Sequence, residues 1–169
     1  DYSTTDNPNG VWTYQTVSGG TYTNMEYGAT YSTVWGDINK GLLAIADSDK
    51  VTGKPSLRLR PESTNTDVVL TFTVPTSGKI NVSMANGGVF APASTSGKGE
   101  IQFTFKHNDT VVKSIDALDG SNNNNNRFFA DTVELTVTAG DTLRFVVHRN
   151  KAVNDPWTYF NPQIEYTEV

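Results

Sequence analysis

Apolar and polar side chains alternate along most of this chain with a period of two, the spacing that places every second residue on one face of an extended strand. Leu57 and Leu59 alternate with Arg58 and Arg60. Val68, Leu70, Phe72 and Val74 alternate with Val69, Thr71 and Thr73, and Ile80, Val82 and Met84 with Lys79, Asn81 and Ser83. Ile101, Phe103 and Phe105 alternate with Gln102, Thr104 and Lys106 before Asn108-Asp109 turns the chain into Thr110-Val111-Val112. Near the end, Val133, Leu135 and Val137 share one face, and so do Leu143, Phe145 and Val147, with Ala139-Gly140-Asp141 between them. The pattern predicts hairpins at this last pair and across Pro75-Thr76-Ser77-Gly78. Val11 to Gln15, the apolar run Leu42 to Ala46, and Gln163 to Tyr166 complete the set, and no stretch carries a helical period with caps. The expected fold is all-β: a two-sheet antiparallel β-sandwich of about ten strands.

Two segments break the alternation. From Ser18 to Gly41 the chain is polar and aromatic, with Tyr22, Tyr27, Tyr31 and Trp35 set among Gly, Thr, Ser and Asn. From Asn150 to Pro162 a second such segment carries Trp157 and Tyr159 between Asn154-Asp155-Pro156 and Asn161-Pro162, where proline forbids ladder pairing. The first reads as loops or short irregular strands, the second as a loop. Because alternation does not assign their rings inward, Trp157, Tyr159, Trp35, Tyr31 and Tyr27 are the candidate ligand-facing residues, with Arg144 and His148 on the outward face of their strand as polar partners. Asn122 to Asn126 reads as an exposed loop tip, and Ala85 to Lys98 as a long Gly, Ala and Ser-rich loop.

Composition narrows the partners. The 169 residues suit one domain, 1–169, with a sizeable core. Thirteen Lys and Arg against eighteen Asp and Glu leave an acidic balance, which argues against nucleic acid and against an anionic membrane surface. No apolar run is long enough to span a bilayer as a helix. Cysteine is absent, so disulfides, thiolate metal sites and a cysteine nucleophile are excluded. The edge strands carry Lys and Asn, which suits a monomer. The start of the chain shows no basic, apolar leader, and the Thr, Asn, Gly and Ser-rich texture suits a secreted or cell-surface protein.

Catalytic signatures are missing: no nucleophile elbow, phosphate loop, dinucleotide glycine fingerprint or zinc-binding histidine pair. Glu26, Asp37, Glu62 and Asp155 supply carboxylates that linear sequence cannot pair across a cleft. No cofactor is expected. Asp47, Asp49 and Asp141 leave room for a structural calcium, although the twelve-residue calcium loop is absent. His107 reads as a satisfied edge residue. Flat rings ringed by Asn, Gln, Arg and His suit a neutral sugar, whose C–H face stacks on an aromatic plate while its hydroxyls meet the polar rim.

The order of motifs resembles a known group. Asn7-Pro8-Asn9-Gly10-Val11-Trp12-Thr13-Tyr14, a proline-led Leu57-Arg58-Leu59, Phe72 to Gly78, Leu135 to Val147, and Asn161-Pro162-Gln163-Ile164 together look like the β-jelly-roll modules attached to secreted bacterial polysaccharide hydrolases, xylan-binding modules among them. The resemblance implies a jelly-roll fold and non-catalytic binding of a neutral plant polysaccharide or oligosaccharide, xylan favoured, which targets a covalently linked glycoside hydrolase to its substrate. The alternatives are a structural or adhesive spacer sandwich, and a small glycan-active enzyme.

Overall fold

A computed structural model of the chain describes residues 2–47, 53–91, 101–118, 129–151 and 157–169, with Ala117 described by its backbone alone. Asn122 to Asn126, Asp49, Asp155 and positions 92–98 of the expected long loop lie outside the described residues. Among the described residues, thirteen strands and no helix are found: β1 (Trp12–Ser18), β2 (Thr21–Asn24), β3 (Trp35–Asp37), β4 (Gly41–Ala46), β5 (Ser56–Pro61), β6 (Asp67–Thr73), β7 (Gly78–Met84), β8 (Ile101–His107), β9 (Thr110–Leu118), β10 (Val133–Val137), β11 (Thr142–Arg149), β12 (Thr158–Phe160) and β13 (Pro162–Glu168). The all-β antiparallel sandwich is therefore as expected. Its strand count is higher because β2, β3 and β12 arise inside the two segments where alternation breaks. At three or four residues each, these strands are too short for alternation to declare them.

One layer is a six-stranded sheet in the order β2-β1-β6-β11-β8-β9; facing it are two separate sheets, β10-β7-β13 and β12-β5-β4-β3. The interior is filled by the alternating apolar positions of all three. Leu70, Phe103, Phe105, Phe145 and Val147 come from the large sheet, Ile80 and Val82 from β7, and Leu43, Leu59 and Phe160 from the four-stranded sheet. Phe160 bridges the layers, its ring centroid 5.3 Å from Phe103 and 5.9 Å from Phe145.

Two expected hairpins are corrected. β6 and β7 do not pair with each other, nor do β10 and β11. β6 and β11 are neighbours in the large sheet, whereas β7 and β10 are neighbours in the three-stranded sheet. The turns at Pro75–Gly78 and Ala139–Asp141 are arches that carry the chain across the core. The arches bond to each other: Val74 N donates to Asp141 O at 2.8 Å, Gly140 N donates to Val74 O at 2.8 Å, and Ala139 N donates to Ser77 Oγ at 2.9 Å. Asp141 ties them to the β8–β9 turn by accepting from Thr138 N at 2.9 Å and Asn108 Nδ2 at 3.0 Å, with His107 Nε2 at 2.7 Å. Those hydrogen bonds, the backbone one first, lower its carboxyl to a pKa of about 2. His107 is thus satisfied as expected, but at the end of an interior strand and not at an edge, since β8 lies between β11 and β9.

The four-stranded sheet is apolar on both faces. Leu43 and Leu59 face the main core, while Leu42, Ala44 and Ala46 join Val34, Phe90, Trp157 and Tyr159 in a second cluster behind it.

Candidate functional site

Three of the five aromatic residues singled out from sequence are buried, which corrects the expectation that they face outward. Trp35 is 3% exposed: its ring centroid lies 5.2 Å from Tyr14 and its indole Nε1 donates to Ser3 O at 2.8 Å, so it clamps the N-terminal segment. Tyr159 is 1% and Trp157 8% exposed. Tyr159 lies in β12 opposite Arg58 and forms a bridge with Phe90, each backbone N–H donating to the other's carbonyl. The Arg58 guanidinium sits 4.4 Å over the Trp157 ring. The cause is common to all three: the polar segments supply extra strands, and their large rings cover those strands rather than a ligand. Tyr27 is half-buried against Trp35, their centroids 5.3 Å apart. Tyr31 alone of the five is exposed, at 50%.

Arg144 and His148 do fall on the outward face of β11, because Phe145 and Val147 point into the core. Polar side chains on that face of the large sheet are bonded to one another. His148 Nδ1 lies 2.6 Å from Asp67 Oδ1, Gln15 Nε2 donates to Asn24 Oδ1 at 3.0 Å, Thr71 Oγ1 donates to Gln15 Oε1 at 2.8 Å, and Gln102 Nε2 donates to Asp116 Oδ1 at 2.7 Å. Arg144 donates to Asn108 O at 3.0 Å while its guanidinium lies 4.6 Å over Tyr22. A face so internally paired must break its own bonds to receive a ligand.

A furrow offers better chemistry. Where the second layer splits into two sheets, a gap of about 380 Å³ opens between β13 on one side and the ends of β4 and β5 on the other. Trp12, Tyr14 and Leu70 of the large sheet line its floor, and Tyr2, Ile45, Pro55, Leu57 and Pro162 its apolar walls. Asn161, Gln163 and Ser56 add polar groups, and the Ser56 hydroxyl is buried without a hydrogen-bond partner. Burial, followed by the neighbouring phenols of Tyr27 and Tyr14, pushes the Tyr2 phenol up to about 12. It therefore keeps its proton and stays a hydrogen-bond donor throughout the neutral range. Trp12 and Tyr14 share a face in the sequence pattern too, but nothing local to them shows which elements stand on either side, so this furrow was not legible there.

Of the candidate carboxylates, Glu26 and Asp37 line one small depression of about 200 Å³ with Lys40, while Glu62 pairs with Arg60. Asp37 Oδ1 accepts from Asn39 N at 2.7 Å, a turn-forming bond. Among the described residues no group of three or more His, Cys, Asp and Glu is placed to hold a metal ion.

Fold and furrow together define a β-sandwich with an aromatic-floored cleft at the seam of its split layer. No family model matches this chain, and no curated protein matches it. Among solved structures it is similar to the enzymatically active domain of tailspike protein 4 of bacteriophage CBA120, at 10% identity and a TM-score of 0.42. The match covers 92% of this chain and 19% of that one, and a similarity at this level bears on neither ligand nor activity.

Proposed function

We propose that this domain is a non-catalytic carbohydrate-binding module of a secreted or cell-surface protein, holding a neutral plant polysaccharide, xylan foremost, in the furrow beside Trp12 and Tyr2. The observation that carries the reading is the furrow's composition: the half-buried rings of Trp12 and Tyr2 beside an amide rim from Asn161 and Gln163. A pyranose ring offers an apolar C–H face to the rings and hydroxyls to the Asn161 and Gln163 amides. At about 380 Å³ the furrow is within the size range of small-ligand sites. Binding would serve a covalently attached glycoside hydrolase by raising its effective concentration at the substrate.

Affinity gel electrophoresis on xylan, mannan and mixed-linkage β-glucan tests this. The domain should be retarded on at least one neutral polymer, xylan first, and Trp12→Ala should abolish the retardation while circular dichroism still reports a folded sheet protein. Free migration of the wild-type domain on every polymer would sink the proposal. It would favour instead a structural or adhesive spacer, the reading supported by the burial of Trp35, Trp157 and Tyr159.

A further inference from the structure

The furrow has a neighbour. On the outer face of the three-stranded sheet lies a second concavity, of about 430 Å³, lined by Asn81, Ser83, Thr132, Gln163, Ile164 and Glu165. Gln163 belongs to the lining of both. β13, the edge strand that forms one wall of the first furrow, is therefore the bridge to the second. The register fixes this arrangement: Ser83 of β7 stands opposite Gln163, and Asn81 stands between Glu134 of β10 and Glu165 of β13. Ile80 and Val82, which alternate with these, are buried in the core and hold the row in place.

Two features of this surface select its ligand. Four of its six lining residues, Asn81, Ser83, Thr132 and Gln163, carry amides or hydroxyls, groups that both donate and accept, beside Ile164 and the Glu165 carboxylate. Unlike the polar residues of the large sheet's outward face, Asn81, Ser83, Gln163 and Glu165 make no side-chain hydrogen bonds to one another. Charge also matters, because Glu134 and Glu165 flank Asn81, while the nearby Lys79 is engaged by Glu168 at 2.9 Å. An anionic ligand would meet two carboxylates and no free cation along this row.

Building on the carbohydrate reading, we infer that the binding site crosses β13: one chain lies with some rings in the aromatic furrow and further rings over Asn81 and Ser83, so the domain binds internal runs of an uncharged, linear polysaccharide. The aromatic end supplies stacking and the amide end supplies length and charge selection. Gln163 contacts the ligand at the crossing.

Isothermal titration calorimetry with neutral xylo-oligosaccharides and cello-oligosaccharides, from disaccharide to hexasaccharide, tests the inference. In the better-bound series, affinity should rise by about tenfold or more from the shortest to the longest chain. Asn81→Ala should remove most of that rise and leave disaccharide binding unchanged, whereas Trp12→Ala should weaken every length. A glucuronic acid-substituted xylo-oligosaccharide should bind several-fold more weakly than its unsubstituted counterpart, and Glu165→Gln should narrow that difference. Disaccharide and hexasaccharide binding with equal affinity, or a length gain that survives Asn81→Ala, overturns the extended site while leaving the furrow reading intact. Failure of every oligosaccharide to bind overturns both.

Discussion

Trp157 shows how little a residue's local sequence says about which way it points. Set among Asn, Asp and Pro, it reads as a ligand plate, yet it lies under Arg58 in the second apolar cluster. Trp157→Ala should therefore lower unfolding stability by about 3–5 kcal/mol, the range for emptying a buried aromatic site, as measured by urea denaturation. Asp141 provides a second prediction at this scale. Its folded pKa of about 2 lies below the ordinary value of 3.8, so the folded protein binds fewer protons than the unfolded chain across that interval. Its contribution is present above pH 4 and is lost as the pH falls towards 2. Asp141→Asn should flatten that part of the stability profile. Tyr2 acts at the other end of the scale. With its pKa raised from 10.0 to about 12, its contribution is complete below pH 10 and disappears between pH 10 and 12. Tyr2→Phe should remove that alkaline loss.

Among the elements, the turns carry the lesson of the fold. Alternation in β6, β7, β10 and β11 correctly reports which side chains face the main core, although Val69, Thr71 and Val146 on the other face are buried too, and a hairpin and an arch turn the same residues inward. The choice between them is made by partners remote in sequence. Close backbone approaches then lock the choice. Gly78 begins β7, and a Cβ added there would fall on the Glu168 carbonyl oxygen of β13. Gly36 in β3 has φ +100°, and its added Cβ would fall on the Gly41 carbonyl oxygen. Gly36→Ala meets both the backbone strain and the clash, so it should destabilise the fold well beyond the roughly 0.5 kcal/mol effect of an ordinary exposed substitution and lower the melting temperature accordingly. Differential scanning calorimetry reads that difference directly.

At the scale of the whole molecule, one core joins three sheets, and each sheet pairs strands far apart in the chain, such as β1 with β6 and β6 with β11. Unfolding should accordingly appear as one cooperative transition by both tryptophan fluorescence and far-ultraviolet circular dichroism, and refolding should fall in the slow range set by non-local pairing, about milliseconds to seconds. Two separate transitions would show that the four-stranded sheet and its second cluster form an independent unit. What the sequence by itself determined is the class of fold and most of its interior: period-two alternation is a local property, and it identified Val68, Leu70, Ile80, Val82, Phe103, Phe105, Phe145 and Val147 as one buried set. It also placed Arg144 and His148 outward, and it discouraged nucleic acid as a partner through the acidic balance. Only the tertiary structure decided that Trp35, Trp157 and Tyr159 are sealed by strands too short to announce themselves, and that Arg144 and His148 are already paired. The furrow belongs to that second category as well. It exists because β13 and the ends of β4 and β5 stop short of each other above Trp12 and Tyr14, and a gap between elements is a relation across space that no local period encodes.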